Sequence, residues 1–126
     1  MYKRLKQFNY IWLLALFWLC FSCAEVEATW YNGDWAYRMK VTVDSAKVTG
    51  DLVNFPVMLD LSDFGNDFWT NVKSTGADIV MTDNGGSTKL KRELETIHTT
   101  SNQGILWFKA ASLSSTVNSD FYLYYG

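Results

Sequence analysis

Apolar and polar residues alternate without a break between Ala36 and Asp44. A period of two places successive side chains on opposite faces of an extended chain. The stretch therefore predicts a β-strand that has one buried face and one face in water. The side chains expected on the buried face are Tyr37, Met39, Val41 and Val43.

Five further short stretches have the composition of strands, and polar turns separate them. We predict these strands at residues 55–61, 77–82, 88–97, 105–110 and 121–125. Asn84-Gly85 is a strong hairpin signal, and it predicts that the second and third of these strands pair with each other. Six strands with turn signals about every ten residues are typical of an antiparallel sandwich or barrel. Of these two, we expect an all-β fold in the form of a jelly-roll-like antiparallel β-sandwich.

One stretch departs from the strand pattern. Phe64, Phe68 and Val72 are spaced four apart between Asp63 and Lys73, which is the spacing of residues on one helix face. We therefore predict one short helix that turns an aromatic face inward. Asp63 is well placed to cap its N-terminus.

The first 28 residues form a separate region. A basic start precedes an uncharged, apolar run over residues 10–21. That run is too short to span a bilayer as a helix, which takes about 20 apolar residues. A basic start, a short apolar run and a small residue at the cleavage site describe a secretory signal peptide. We therefore predict a signal helix over residues 1–28, cleavage after Ala28, and a β-sandwich domain over residues 29–126.

This assignment predicts export. The domain is then expected in the periplasm, at the cell surface or outside the cell, with membrane contact only through an uncleaved signal or a lipid anchor. The alternatives are an uncleaved helix and a bacterial lipoprotein anchored at Cys23, before which only Ser22 fits a lipidation motif. Both cysteines precede the predicted domain, which must therefore rely on its apolar core rather than on a disulfide.

Composition argues against several classes of function. The chain has 11 basic and 13 acidic residues, a formal net charge of -2 and no dense lysine and arginine run, which argues against nucleic-acid binding. One histidine and two cysteines are too few for a typical His/Cys metal site or a histidine-based triad. We expect no cofactor and no enzyme activity.

Five stretches, in order and with regular spacing, carry a resemblance to a known family. They are Trp35-Ala36-Tyr37-Arg38-Met39-Lys40-Val41-Thr42-Val43 with Leu52-Val53-Asn54-Phe55-Pro56-Val57, then Gly76-Ala77-Asp78-Ile79 with Thr82-Asp83, residues 90–95, Ile105-Leu106-Trp107-Phe108-Lys109, and Tyr122-Leu123-Tyr124-Tyr125-Gly126. In these stretches the chain resembles the bacterial domain-of-unknown-function family 2341. The resemblance covers about residues 30–126.

The resemblance implies a context rather than an activity. Proteins of this family are exported, multi-domain surface proteins, and a concanavalin A-like lectin or glucanase module often follows the domain. We therefore expect the chain to be part of a larger cell-surface protein, with an adjacent lectin-like domain as a possible partner.

Aromatic side chains supply the candidate ligand-binding residues. Aromatic residues make up 17% of the chain, and most of them are expected to fill the core of a small sandwich. Tyr122 and Tyr124 share one face of the last predicted strand, and Trp107 lies in the strand before it. Flat rings with polar tips suit sugar rings or a partner protein, so these three residues are the candidates for an exposed binding platform.

Acidic residues supply the candidates for other chemistry. Glu93 and Glu95 share a strand face with Cα atoms about 6.5 Å apart, and glycoside hydrolases use paired carboxylates. A solvated strand face with charge pairing across strands is the simpler interpretation. Asp60, Asp63 and Asp67 offer oxygen atoms for Ca²⁺, although the sequence contains no Asp-x-Asp-x-Asp-Gly run.

Three hypotheses of function follow. The first, which we favour, is a non-catalytic exported module that binds a glycan or a surface partner within a larger protein. The second is a purely structural spacer or assembly domain that docks on the next module through an edge strand. The third is a glycoside hydrolase fragment that uses Glu93 and Glu95.

Overall fold

The computed structural model describes residues 28–126. The predicted signal helix and Cys23 lie outside this range, apart from Ala28. Within the described range no helix is long and apolar enough to cross a membrane. The elements are β1 (Tyr37–Val43), β2 (Leu52–Asp60), α1 (Asn66–Asn71), β3 (Val80–Thr82), β4 (Arg92–His98), β5 (Gln103–Leu113) and β6 (Ser119–Tyr125), with two short 3₁₀ turns at Ser45–Lys47 and Leu61–Asp63.

The strands form two antiparallel sheets of three strands each. The first sheet has the order β1-β6-β3, and the second has the order β2-β5-β4. β1 pairs with β6 from Tyr37 opposite Tyr125 to Val43 opposite Ser119. The two packed sheets and the one short helix confirm the prediction of a mostly β, sandwich-like fold.

The core lies between the two sheets. Phe108 of the second sheet and Phe121 of the first meet with ring centroids 5.0 Å apart. Leu106 and Leu123 are completely buried at the centres of their sheets. β5 and β6 are the central strands of their sheets, and their inward-facing residues form the middle of the core. A central position for β5 agrees with the run over residues 105–110, which is apolar on both strand faces.

The alternation of buried and exposed residues along β5, where it pairs with β2, shifts by one residue near the end of the strand. Phe108 and Ala110 are buried, Ala111 and Ser112 are exposed, and Leu113 is buried again. Asn54 lies on β2 at this point and has a positive φ of 52°, a conformation that asparagine tolerates better than most residues. Asn54 is left out of the pairing between Val53 and Phe55, so the ladder is irregular at the point where the buried face of β5 changes.

Helix α1 confirms the predicted aromatic face, but its start differs from the prediction. Phe64 and Phe68 pack edge to face at 4.9 Å, and the indole N–H of Trp69 donates to the carbonyl of Phe64. The prediction that Asp63 caps the helix is wrong, because Asp63 ends the preceding 3₁₀ turn and Gly65 takes the cap position without a side-chain bond.

The predicted hairpin at Asn84-Gly85 forms only at its base. The backbone N–H of Asp83 donates to Thr88, and that of Leu90 donates to Met81. After Leu90 the chain crosses to the other sheet, where β4 pairs with β5. The prediction that these two runs pair is therefore confirmed at Thr82 and Lys89 and is wrong beyond Leu90, because the main partners of the runs, β6 and β5, lie in different sheets.

Asp78 fixes the connection that follows helix α1. Its carboxylate accepts hydrogen bonds from the backbone N–H groups of Lys73, at 3.0 and 3.1 Å, and of Gly126, at 3.1 Å. Asp78 is 5% exposed, and hydrogen bonds donated to a charged acceptor are stronger than those between neutral groups. This side chain therefore ties the loop before β3 to the end of β6.

Candidate functional site

The segment over residues 28–35, which we call the covering segment, lies across the outer face of the first sheet. The hydroxyl of Tyr124 accepts a hydrogen bond from the N–H of Tyr31 at 3.2 Å and has the carbonyl oxygens of Thr29 and Gly86 within 3.4 Å. Gly86 has a φ of 75°, and a Cβ atom there would collide with the Thr29 carbonyl. Glycine at this position therefore allows the segment to approach the hairpin loop.

Tyr124 does not belong to an exposed platform. Its exposed fraction is 0%, because Trp30 packs edge-on at 5.3 Å and Tyr31 lies at 5.9 Å. The expectation that Tyr124 is exposed is wrong. The alternation along β6 does direct Tyr124 away from the core. Residues 28–35 cover that outer face, however, and the alternation within a strand does not indicate whether another segment covers it.

Tyr122 lies on the same outer face and is half-buried. The guanidinium of Arg38 lies 4.7 Å from the ring centre of Tyr122 and 5.0 Å from that of Trp30. Arg38 also donates to the carbonyl of Ala28. One face of the Tyr122 ring is therefore already occupied by a cation–π contact, which leaves less of the ring for a ligand.

Trp107 lies on the outer face of the second sheet, on the opposite side of the sandwich from Tyr122. It is half-buried, with Met58 opposite it on β2 and Glu93 opposite it on β4. Its indole N–H donates to the Glu95 carboxylate at 2.7 Å. The structure therefore does not bring the three predicted binding residues together, and Trp107 is the one whose surroundings leave it accessible.

Glu93 and Glu95 do not form a matched pair in a cleft. Both are exposed on the edge strand β4, and the pairing with β5 shifts between Leu94 and Thr96, so Glu95 lies in a β-bulge. The carboxylate of Glu95 is bound to the Trp107 indole. This geometry offers no enclosed position for a glycosidic bond between the two carboxylates.

A wide, open concave region lies beside Trp35, at the junction of the covering segment, β3 and the crossing to β4. It consists of two adjoining hollows of about 630 and 410 Å³ that share four lining residues. We call this region the Trp35 groove. The shared residues are Trp35, Ala77, Val80 and Lys89.

The indole of Trp35 is available to a ligand. The ring is half-buried and makes no stacking contact with another aromatic ring of the described residues, and its N–H makes no hydrogen bond to them. The backbone of Trp35 is held in place, because its carbonyl accepts from the Trp30 indole at 3.2 Å and its N–H donates to Asn32 at 3.3 Å. A fixed backbone with an unoccupied ring is suited to stacking on a ligand.

Arg92 forms one wall of the Trp35 groove. Its Nε donates to the carbonyl of Ile79 at 2.7 Å and its Nη2 donates to that of Gly76 at 3.2 Å. Burial lowers the pKa of the Arg92 guanidinium, and the negative charge of Asp78 opposes this shift. Arginine nevertheless stays charged at neutral pH, so the groove contains a positive charge in a fixed position.

Basic side chains outnumber acidic ones around the groove. Of the chain's 11 basic residues, Lys3, Arg4 and Lys6 precede the described range. Half of the other eight line the groove, against two acidic residues. The basic ones are Lys73, Lys89, Lys91 and Arg92, and the acidic ones are Asp34 and Asp78.

The residues considered for calcium do not converge. In the described range no group of three or more histidine, cysteine, aspartate or glutamate side chains is placed to hold a metal ion. The Asp60 carboxylate instead accepts bonds from the N–H and hydroxyl of Ser62 and so caps a 3₁₀ turn. Asp63 and Asp67 are exposed near the start of α1.

Sequence reasoning missed the Trp35 groove. Trp35 precedes β1, and the basic residues of the groove come from the loop before β3 and from the crossing to β4, so no spacing in the sequence joins them. The one available signal is the run Lys89-Leu90-Lys91-Arg92, which is the densest basic stretch after residue 28. A charged run of this kind is more often a solvated strand face, and its meaning depends on the fold.

Comparison of the chain with protein-family models, with curated proteins and with solved structures found no match. The resemblance to the domain-of-unknown-function family 2341 therefore stays a prediction from the quoted motifs.

Three exposed carboxyl groups near strand ends have lowered pKa values. Hydrogen bonds from Ser115 lower the pKa of Asp51, and bonds from Ser62 lower that of Asp60. The Thr42 hydroxyl, at 2.6 Å, is the main cause of the lowered pKa of Asp120, which also pairs with a lysine. Each bond favours the charged form of its carboxyl group.

The buried Tyr124 hydroxyl generates a stability prediction. Tyr124→Phe is expected to lower the free energy of unfolding by about 1 to 2 kcal/mol, because it leaves buried backbone groups such as the Tyr31 N–H without a partner. Tyr122→Phe is the matched control, since the Tyr122 hydroxyl makes no hydrogen bond to a described residue, and a change below about 0.5 kcal/mol is expected there. Urea unfolding of both variants measures the difference. Equal effects would contradict the role given to Tyr124.

The lowered carboxyl pKa values generate a prediction of pH dependence. At pH values between the unfolded-state pKa of Asp51, Asp60 and Asp120 and their lower folded-state pKa, the unfolded chain binds more protons than the folded one. Stability is then fully present above about pH 4 and is lost as the pH falls through the folded pKa values. We expect the urea concentration at the midpoint of unfolding to decrease as the pH is lowered from 6 to 3, and to decrease less in Asp51→Asn. A midpoint that is constant or rises toward pH 3 would refute this account.

Proposed function

We propose that the chain is a non-catalytic exported module that binds a glycan, and that the Trp35 groove is its binding site. The observation that carries the proposal is the unstacked, half-buried indole of Trp35 in a wide, open groove of the described residues. A sugar ring offers a flat C–H face to an aromatic ring and hydroxyl groups to the polar side chains around it.

The polar groups of the groove suit binding rather than catalysis. Asp78 uses its carboxylate to hold three backbone hydrogen bonds, and Asp34 accepts a bond from the side chain of Asn32. Asp78 is therefore committed to the backbone, which leaves Asp34 without a second carboxylate in the groove to complete an acid and base pair. The cationic side chains donate hydrogen bonds without moving a proton, so the groove supports recognition of hydroxyl or acidic groups.

The arrangement of strands supports this proposal at the level of the fold. Successive strands β1, β2, β3 and β4 alternate between the two sheets, and the first and last strands are neighbours. We infer a reduced jelly roll, with six strands in place of the usual eight. Jelly rolls include lectin domains, although a shared fold alone does not assign a function.

The sequence motifs supply the cellular context of the proposal. Membership of family 2341 would place the domain in a larger exported protein of the bacterial surface, next to a lectin-like module. The predicted signal helix over residues 1–28 supports the same location. A glycan-binding module in that setting holds its protein close to a polysaccharide.

An assembly domain is the second candidate, and edge strand β2 favours it. Val53, Phe55 and Met58 on this strand are 74%, 42% and 53% exposed, and an edge strand has backbone groups that are free to pair with another strand. Pro56 interrupts the edge and limits such pairing. This candidate needs no glycan, so it predicts that no sugar is bound.

A glycan array probed with the full-length chain tests the proposal. We expect binding to at least one class of glycan, and a loss of about tenfold or more in affinity for Trp35→Ala, as for an aromatic residue at the centre of a binding site. Trp35→Phe keeps a ring and is expected to retain most of the affinity. Urea unfolding verifies that each variant is folded.

Two matched variants locate the binding surface. Trp107→Ala and Tyr122→Ala remove the other candidate rings and are expected to leave glycan binding within about twofold of the unaltered chain. A loss in either of these variants but not in Trp35→Ala would move the site away from the groove and refute our assignment. No binding to any glycan would refute the proposed function and support the assembly domain.

A further inference from the structure

We infer that the ligand of the Trp35 groove is an acidic polysaccharide, one that carries carboxylate or sulfate groups along its chain. This inference rests on the proposed function, because it names the class of glycan that the same site takes. It depends on the position and pairing of the basic side chains, whereas the proposed function depends on the indole of Trp35.

Arg92 supplies the fixed positive charge of this site. Two of its N–H groups are bound to backbone carbonyls, and these bonds hold the planar guanidinium in one orientation. Among the described residues the one ion pair within 4.0 Å joins Lys40 and Asp120, so Arg92 forms no direct ion pair there, although the charge of Asp78 acts on it from beyond that distance. A half-buried cation with unused N–H groups is well suited to an anionic group of a ligand.

Lysine side chains extend the positive surface on both sides of Arg92. Lys73, Lys89 and Lys91 are exposed at the rim of the groove and form no ion pair with a described residue. The whole chain has a formal net charge of -2, so this concentration of positive charge contrasts with the rest of the surface. Such a region attracts anions and raises their local concentration.

Basic residues also line a third hollow, of about 220 Å³, that adjoins the groove. It shares Lys91 and Arg92 with the groove and is also lined by Lys109, Trp107 and the acidic Glu93. Along these adjoining hollows there are five basic residues against three acidic ones, which are Asp34, Asp78 and Glu93. A repeating acidic chain matches this arrangement better than a single small anion, because several charges are engaged together.

The backbone of this region argues against an acidic peptide as the occupant. A peptide commonly binds by adding a strand to an open sheet edge. The outer edge of β3 is already occupied, because Met81 accepts from Leu90 and Asp83 donates to Thr88. The groove therefore presents side chains rather than a free strand edge, which suits a polysaccharide.

The inference is tested with pairs of polymers that differ in charge. We use polygalacturonate with its methyl ester, and dextran sulfate with dextran, in titration calorimetry on the full-length chain. At least one acidic polymer is expected to bind at least tenfold more tightly than its neutral partner. Since exposed charge pairs are screened by salt, its affinity is expected to fall severalfold between low and high ionic strength.

Charge variants identify the surface that is responsible. Lys89→Gln with Lys91→Gln is expected to weaken binding of the acidic polymer by about tenfold, at up to about fivefold for each exposed charge. Lys47→Gln removes one lysine charge from an exposed site in a 3₁₀ turn and is expected to have no effect. Equal losses in both would refute the groove as the site.

The remaining outcomes separate this inference from the proposed function. Equal affinity for an acidic polymer and its neutral partner, or binding of neutral glycans alone on the array, would overturn the acidic ligand and leave glycan binding intact. Binding of polyglutamate with the same affinity, unaffected by Trp35→Ala, would also overturn the inference, because charge alone would then suffice. No binding to any glycan would refute both.

Discussion

The hydroxyl of Tyr124 connects three parts of the chain that the sheets alone leave separate. It holds the covering segment through Tyr31 and Thr29 and lies within hydrogen-bond distance of Gly86 in the hairpin loop. The segment continues directly to Trp35, whose backbone is fixed against Trp30. The wall of the groove therefore depends on a buried tyrosine that faces away from the core, and the site exists because one outer sheet face is covered.

The charged side chains of the described surface are paired in some regions and unpaired in others. Lys40 and Asp120 neutralise each other on the outer face of the first sheet, and Glu95 is held by the indole of Trp107 on the second. Beside the Trp35 groove the carboxylate of Asp78 accepts hydrogen bonds from backbone N–H groups. The nearby cations form no direct ion pair with a described residue, and this difference is the basis for proposing recognition of an acidic glycan.

The sequence was sufficient for the parts of the fold that depend on periodicity. Alternation in residues 37–43 predicted β1 and the inward face of Met39, Val41 and Val43, but Tyr37 at its start is 41% exposed rather than buried. The aromatic spacing over residues 64–72 predicted a short helix, and of its three residues Phe68 lies within α1. It failed where contacts between distant parts decide the outcome. The run after the hairpin crosses to the other sheet because β5 provides its partner, and Tyr124 is buried because a preceding segment covers it. The groove was missed for the same reason, since its residues meet only after the two sheets have packed.

Nuclear magnetic resonance with the ¹⁵N-labelled full-length chain tests the central claim that the Trp35 groove is the binding site. The chain has six tryptophans, and each indole N–H gives its own signal. On addition of an oligogalacturonide, the account predicts that the Trp35 indole and the backbone amides of residues 89–92 shift, while the buried Trp69 indole does not. Shifts confined to Trp107 and Met58, or no shift at any indole, would contradict it.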